Sequence, residues 1–173
     1  MKDQKAILFF LLKFIGFYIV VNTVYGLWIN SYYPNPDPIT KIVTHQSAAL
    51  ISLMEENITV GRITDSANVP IMQGDRRVIN VFEGCNSVNV MIVFISFIVA
   101  YSGTWKKNIT FGIIGVVLIY LANLLRVALL FLVAKYYPDN LYFVHKYLFT
   151  GVIYVLVFFL WYLWVKRIWP EKN

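Results

Sequence analysis

The sequence predicts an all-α integral membrane protein with four transmembrane helices and a small cap outside the bilayer. Hydrophobic residues make up 59% of the chain and charged residues 14%, whereas soluble domains are about half apolar and about a quarter charged. The mean hydropathy of +0.64 indicates the same class. The net charge of +6 comes from basic residues at the ends of apolar runs, which is typical of a membrane topology rather than of nucleic-acid binding.

Four apolar runs are predicted to cross the bilayer, since about 20 helical residues span about 30 Å of hydrocarbon. They occupy about residues 6–28, 85–102, 109–134 and 144–165. Lys13 interrupts the first run, but it lies near enough to the start for its ammonium group to reach the interface. A cleaved signal peptide is the alternative for this run, although the run is long for one and lacks a small-residue cleavage site. The second run reaches spanning length only if it begins near Gly84.

Residues 30–82 are the only long polar segment and are predicted to form a helix-plus-hairpin cap. Three prolines near its start prevent the first helix from continuing: Pro34, Pro36 and Pro38. The apolar spacing within residues 39–54 predicts a helix that lies on the membrane or on the bundle. Alternating apolar residues predict the two strands of the hairpin, and turn-forming residues separate them. The strands are expected at residues 58–63 and 78–82, and the turns at 65–68 and 73–75.

Short basic segments predict the orientation of the chain in the membrane. With four spans, three such segments fall on one side, and the positive-inside rule makes that side cytoplasmic. They precede the first span, join the second to the third and follow the fourth, and they contain Lys2, Lys5, Lys106, Lys107, Lys166, Arg167 and Lys172. Both termini are therefore expected in the cytoplasm, and the cap is expected outside it.

Cys85 is the only cysteine of the chain and opens the second predicted span. A single cysteine excludes an intrachain disulfide and a multi-cysteine metal site. His45 and His145 lie too far apart in the sequence for metal-ligand spacing, and the sequence contains no glycine-rich phosphate loop. Neither a metal nor another cofactor is therefore expected, and Cys85 becomes a candidate nucleophile.

The predicted topology places Cys85, Arg126 and His145 at one depth near the outer surface. Arg126 lies 18 residues beyond Asn108 on the third span, or about 27 Å from the cytoplasmic end at about 1.5 Å per residue. Cys85 and His145 lie at the outer starts of the second and fourth spans. A charged residue within a span is costly unless it faces a partner or a wet cavity, and this makes Arg126 a functional candidate.

This combination of residues suits covalent acyl transfer. Cys85 would act as the nucleophile, His145 as the general base and acid, and Arg126 as the group that holds the developing oxyanion. Asn123, one turn before Arg126 on the same helix face, is expected to orient the site, and Glu83 is expected to pair with Arg126 or His145. Inert alternatives stay open: a buried apolar cysteine, an arginine that reaches lipid phosphates, a solvated histidine and an asparagine that only joins helices.

Three short elements resemble the exosortase/archaeosortase family: Glu83-Gly84-Cys85-Asn86-Ser87, Asn123-Leu124-Leu125-Arg126 and the later His145. Members of that family are multi-pass membrane enzymes with a cysteine, an arginine and a histidine in this order. The likeness covers about residues 83–165 and is greatest to the short, exosortase-F-like branch. Asn86-Ser87 stands where the family more often has Ser/Ala-Gly, and Asn86 joins Glu83 and Asn123 as a supporting residue.

The resemblance implies a membrane cysteine transpeptidase or protease of the bacterial inner membrane, with its site on the extracytoplasmic side. Such an enzyme cleaves the C-terminal sorting signal of an exported protein, which consists of a short motif, a membrane helix and a basic tail. Cleavage would proceed through a Cys85 thioester, and the product would pass to an amine or to water. The expected partners are that exported protein and the lipid bilayer, and no nucleic acid.

Two other functions compete with this one. The alternative is a non-catalytic membrane assembly or export subunit, which would use the aromatic spans and the outward cap as docking surfaces. A transporter or channel is less favoured, because the four spans include no pair of broken helices and offer little pathway.

Overall fold

The computed structural model describes residues 2–62, 66–101 and 103–168, and most of them are helical. The helices are α1 (Lys2–Asn30), α2 (Pro38–Ile51), α3 (Val88–Ala100), α4 (Trp105–Tyr136), the one-turn α5 (Leu141–Phe143) and α6 (Phe149–Ile168). The strands lie between α2 and α3 and are β1 (Ile58–Val60), β2 (Val69–Gln73) and β3 (Arg76–Val81). Four residues that the predicted strand, turn, span and basic segment include lie outside the described ranges, namely Ile63, Asp65, Ser102 and Lys172.

Three helical segments are long and apolar enough to cross a membrane: Gln4–Asn30, Trp105–Tyr136 and Pro138–Lys166. The last of them is not a regular α-helix throughout. A 3-10 turn at Pro138–Asn140 and a π-helical turn at Val144–Leu148 precede α6. The chain is therefore a mostly helical membrane protein, as its composition predicts.

The second predicted span is a shorter helix in the structure. Helix α3 has 13 residues, which is about 20 Å at about 1.5 Å per residue, against about 30 Å of hydrocarbon. It begins at Val88 because Ser87 has a left-handed φ of 62°, which no α-helix continues through. Glu83–Cys85 forms a separate 3-10 turn before it. Cys85 therefore lies in a turn outside the helices, whereas the sequence predicted it at the start of one.

Aromatic contacts show that α1, α3, α4 and α6 alternate in direction. Phe10 of α1 lies 5.4 Å from Phe97 of α3, measured between ring centroids, and Phe97 stacks on Trp161 of α6 at 4.4 Å. Phe111 of α4 lies 4.8 Å from Trp164 of α6. The starts of α1 and α4 and the ends of α3 and α6 therefore share one end of the bundle. The turn that holds Cys85 lies at the opposite end.

Residues 30–62 and 66–82 include a helix and a three-stranded antiparallel sheet in the order β1-β2-β3. Asp37 caps α2, because its Oδ1 accepts a hydrogen bond from the Thr40 N–H at 2.9 Å. The predicted hairpin of residues 58–63 and 78–82 is wrong, since β2 pairs with both β1 and β3 and separates them. Gly74, with a φ of 57°, makes the turn between β2 and β3.

The sheet packs against α2 and the second half of α4. Its core contains Ile71, Val81 and Cys85, together with Ile51 of α2 and Val127 and Phe131 of α4. Glu55 accepts hydrogen bonds from Lys135 and from the Tyr136 hydroxyl, which ties the segment after α2 to the end of α4. Cys85 is thereby enclosed between the sheet and α4.

Candidate functional site

Cys85 ends a 3-10 turn that the surrounding structure holds in place. Its backbone N–H donates to the Phe82 carbonyl at 2.7 Å, and the Asn123 amide of α4 donates to the Cys85 carbonyl at 2.7 Å. The Phe82 ring covers Gly84, where an added Cβ would approach it to 2.5 Å. Only 5% of Cys85 is exposed. Asn123 therefore positions the backbone of the turn that carries the thiol.

Asn86 connects this turn to α1, α2 and α3. Its amide nitrogen donates to the Tyr25 hydroxyl at 2.8 Å and to the Thr40 hydroxyl at 3.1 Å. Its amide oxygen accepts from the Val88 N–H at 3.0 Å, which caps the start of α3. Asn86 is fully buried. Tyr25 and Thr40 were not predicted as site residues, because they are far from Asn86 in the sequence and belong to no motif.

Cys85 and His145 line the same cavity, which has a volume of about 670 Å³. One wall is β3 with the residue that follows it, and the other consists of α4, the 3-10 turn at Pro138–Asn140, α5 and the π-helical turn. The side chains of the second wall are Val127, Leu130, Pro138, Leu141, Tyr142 and His145. Because π-helical turns occur often at functional sites, the local irregularity around His145 is a further indication of function.

Arg126 is half-buried on α4 and immediately precedes Val127 of the cavity wall. Arg126 lies near enough for its positive charge to interact electrostatically with both the Cys85 thiol and the His145 ring. Within the described residues, Arg126 Nε and His145 Nδ1 are buried and have no hydrogen-bond partner. The structure thus brings the three residues named from the sequence to one region, on three different elements.

Glu83 does not make the ion pair that the sequence predicted for it. Within the described ranges, the Glu83 carboxylate is not within salt-bridge distance of Arg126 or His145. The ion pair found there joins Glu55 to Lys135. Glu83 instead lines a separate hollow beside Asn30 and Asp37. The reason is the 3-10 turn, which directs Glu83 and Cys85 to different sides.

His45 lies apart from the Cys85 cavity. It projects from α2 into another hollow, which Lys41 and Arg62 also line. The described residues contain no group of three or more His, Cys, Asp or Glu side chains placed to hold a metal ion.

Comparison with known proteins identifies the family of this chain. A sequence model of the transmembrane exosortases matches residues 4–164. The chain belongs to the transmembrane exosortase family. No curated protein matches the chain, and no solved structure does. The match covers α1 and the sheet as well as the segment after Glu83, so the resemblance noted from three short elements extends over nearly the whole exosortase chain.

The charges around Cys85 predict how its reactivity depends on pH. Burial raises the pKa of the Cys85 thiol above its usual value, a backbone contact with Phe82 and the charge of Arg126 lower it, and the charge of Glu83 raises it. In the resting exosortase the thiol is therefore mostly protonated at neutral pH. A thiolate is the reactive form of a cysteine, so a nucleophilic role for Cys85 would require a base to generate it.

We expect alkylation of Cys85 by iodoacetamide to accelerate with a midpoint above pH ~8.5, the usual pKa of a free cysteine. Glu83→Gln should move this midpoint down, because it removes a negative charge, and Arg126→Gln should move it up, because it removes a positive one. The chain has one cysteine, so mass spectrometry of the purified protein reports this thiol alone. Shifts of the two variants in the same direction would contradict the assigned charges.

Proposed function

We propose that this exosortase is a sortase-like membrane cysteine transpeptidase or protease that acts on C-terminal sorting signals of exported proteins. The observation that carries the proposal is that Cys85 and His145 line one cavity, with the charge of Arg126 in reach of both. A thiol, a base and a fixed cation are the groups that acyl transfer through a thioester requires. Membership of the exosortase family supports the same chemistry.

In the first step, His145 takes the proton of the Cys85 thiol, and the sulfur attacks the carbonyl carbon of the scissile peptide bond. Arg126 donates hydrogen bonds to the oxyanion that forms, and its buried Nε lacks a partner among the described residues. His145 then gives its proton to the leaving amine as the carbon–nitrogen bond breaks. A thioester on Cys85 is left, and an amine or water attacks it to release the product and restore the thiol.

Asn123 and Asn86 are positioning residues in this proposal. Asn123 holds the Cys85 carbonyl, and Asn86 anchors the same turn to Tyr25 and Thr40. A nucleophile on a short turn needs such anchors, because small displacements of the attacking atom cost much of the rate. Glu83 would act only through its charge, since it lines a different hollow.

We also propose that the helices cross the inner membrane with both termini in the cytoplasm. Lys5, Lys106, Lys107 and Lys166 lie at the end of the bundle where α1 and α4 begin and α6 ends, which the positive-inside rule assigns to the cytoplasm. Residues 30–82 and Cys85 would then lie on the extracytoplasmic side. In this arrangement α3 would form the fourth, short crossing, and the cavity would face the junction between an exported domain and its membrane helix.

The test is co-expression of the exosortase with an exported protein that ends in a short motif, an apolar helix and a basic tail. Wild-type enzyme should convert this protein to a form without its C-terminal helix, and Cys85→Ala should not. Mass spectrometry should find the cleaved protein attached to the Cys85 peptide by a bond that hydroxylamine breaks. Cleavage by Cys85→Ala would refute the nucleophile, and full function of Cys85→Ser would favour a non-catalytic subunit instead.

A further inference from the structure

Strand β3 forms one wall of the Cys85 cavity with its edge rather than with one of its faces. It is the last strand of the sheet, and six consecutive residues from Arg77 to Phe82 line the cavity. Side chains alternate between the two faces of a strand, so a cavity above one face would be lined by every second residue. An uninterrupted run of lining residues places the cavity along the open edge of β3.

The backbone of Asn80 faces this open edge. The Gly61 N–H donates to the Pro70 carbonyl at 3.0 Å, which shows that this carbonyl points toward β1 and away from β3. Asn80 is opposite Pro70 in the pairing of β2 with β3. Because the Pro70 carbonyl is bonded to β1, Pro70 and Asn80 form a non-hydrogen-bonded pair between β2 and β3. In such a pair of an antiparallel sheet, Asn80 directs both its N–H and its C=O away from β2. Asn80 therefore offers one donor and one acceptor to a chain lying in the cavity.

We propose that the substrate binds as an added strand along the edge of β3, parallel to β3, and that this pairing delivers its scissile bond to Cys85. The inference rests on the proposed function and specifies how that function recognises its substrate. An open strand edge is a ready template for an extended peptide, to which it contributes main-chain hydrogen bonds. Cys85 follows β3 by four residues, so it lies where a paired peptide would leave the strand.

The parallel direction follows from where the two chains go next. β3 runs toward the turn at Cys85 and then into the bundle through α3. A substrate with an extracytoplasmic domain followed by a membrane helix must run the same way, from outside into the bilayer. β3 has six residues, or about 20 Å at about 3.3 Å per residue, so it pairs with about six substrate residues. Alternate substrate side chains would pack on Val127, Leu130 and Leu141 across the cavity.

Photo-crosslinking tests the position and the direction of the added strand. Benzoylphenylalanine is introduced at Arg77 or at Asn80 in the Cys85→Ala enzyme, and at Thr59 on the opposite edge of the sheet as the control. The probe is the co-expressed exported protein described above. We expect crosslinks from positions 77 and 80 and none from 59, and the site reached from position 77 should lie about three residues N-terminal to the site reached from 80, as parallel strands require.

A pair of proline substitutions tests the hydrogen bond itself. Asn80→Pro removes the N–H that faces the cavity, and an edge strand tolerates proline there. Val60→Pro is the matched control, because Val60 is opposite Ile71 and presents its N–H to the outer edge of β1. We expect Asn80→Pro to lower the cleavage rate about tenfold at subsaturating substrate, with Cys85 alkylation unchanged, and Val60→Pro to match the wild type.

The outcomes distinguish a failure of the added-strand inference from a failure of the proposed function. Crosslinks in the reverse order, or none from 77 and 80 while the wild type still cleaves, would overturn the added strand and leave the transpeptidase intact. Equal effects of Asn80→Pro and Val60→Pro would also overturn it. If the wild type neither cleaves the exported protein nor forms a Cys85 adduct, the proposed function itself fails, and the inference fails with it.

Discussion

Replacing His145 with alanine is expected to slow cleavage of the sorting signal by about 10² to 10⁴-fold, the usual contribution of a general acid and base. The reason is the environment of Cys85, because burial raises the pKa of its thiol and leaves little thiolate without a base. His145 is the only histidine lining the Cys85 cavity among the described residues. The measurement is the initial rate of cleavage in membranes that contain equal amounts of folded enzyme.

His45→Ala is the matched control for this variant. His45 is the other histidine of the chain and lines a hollow away from Cys85, so its loss should leave the rate unchanged. Imidazole added to His145→Ala should restore part of the activity, since a cavity of about 670 Å³ has room for a free ring beside the thiol. A His145→Ala enzyme within about twofold of the wild type would refute the general-base role, which is expected to be worth about 10²-fold or more.

That Cys85, Arg126 and His145 lie in one region could be predicted from the sequence, because helix length and topology constrain their positions. A lone cysteine, an arginine within a span and a histidine at a span end could be placed at one depth by counting helical residues alone. Asn123 could be placed on the face of Arg126 by the same count. Counting helical residues does not predict which contacts these side chains make. The hydrogen bond from Asn123 to the Cys85 carbonyl depends on the 3-10 turn at Glu83–Cys85, and the pattern of apolar residues does not predict that turn.

The start of the second predicted span illustrates a second limit. Val88–Ala100 is mostly apolar and carries no charge, which favours a longer helix, but the left-handed Ser87 prevents the helix from extending back to Cys85. Asn86 stabilises that break through Tyr25 and Thr40, which lie 61 and 46 residues away in the sequence. Local propensity therefore favours a helix through Cys85, whereas long-range hydrogen bonds favour a turn there. The same turn directs Glu83 into a separate hollow, away from the ion pair with Arg126 or His145 that the sequence predicted.

Strand β2 was not predicted from the sequence, and the physical reason is different. Its segment contains Pro70, and proline in a central strand removes a ladder hydrogen bond, which argues against such an assignment. In the structure Pro70 lies near the first residue of β2 and faces Gly61, where β1 has already ended. The missing N–H therefore costs the sheet little. The pairing partner of each strand, not its own composition, decides whether a proline is tolerated.

Gly115→Ala is expected to lower the free energy of unfolding of the exosortase, although alanine is the better helix former. A Cβ at Gly115 would lie 2.2 Å from the Phe94 ring, and Phe94 is fully buried among α3, α4 and α6. Because the ring is enclosed in this core, we expect overpacking to cost about 1–3 kcal/mol, while the gain in helix propensity is about 1 kcal/mol. The close approach of α3 to α4 requires a glycine at this position.

Gly151→Ala is expected to change the stability in the opposite direction from Gly115→Ala. Nothing lies within 4 Å of a Cβ at Gly151 in α6, so only the gain in helix propensity remains and this variant should be at least as stable as the wild type. The measurement is the thermal midpoint of the purified protein in detergent, followed by tryptophan fluorescence. Cleavage by the folded fraction should be unaffected in both variants, since neither glycine lines the Cys85 cavity. Equal midpoints for Gly115→Ala and Gly151→Ala would mean that α3 and α4 are less tightly packed at Phe94 than this contact requires.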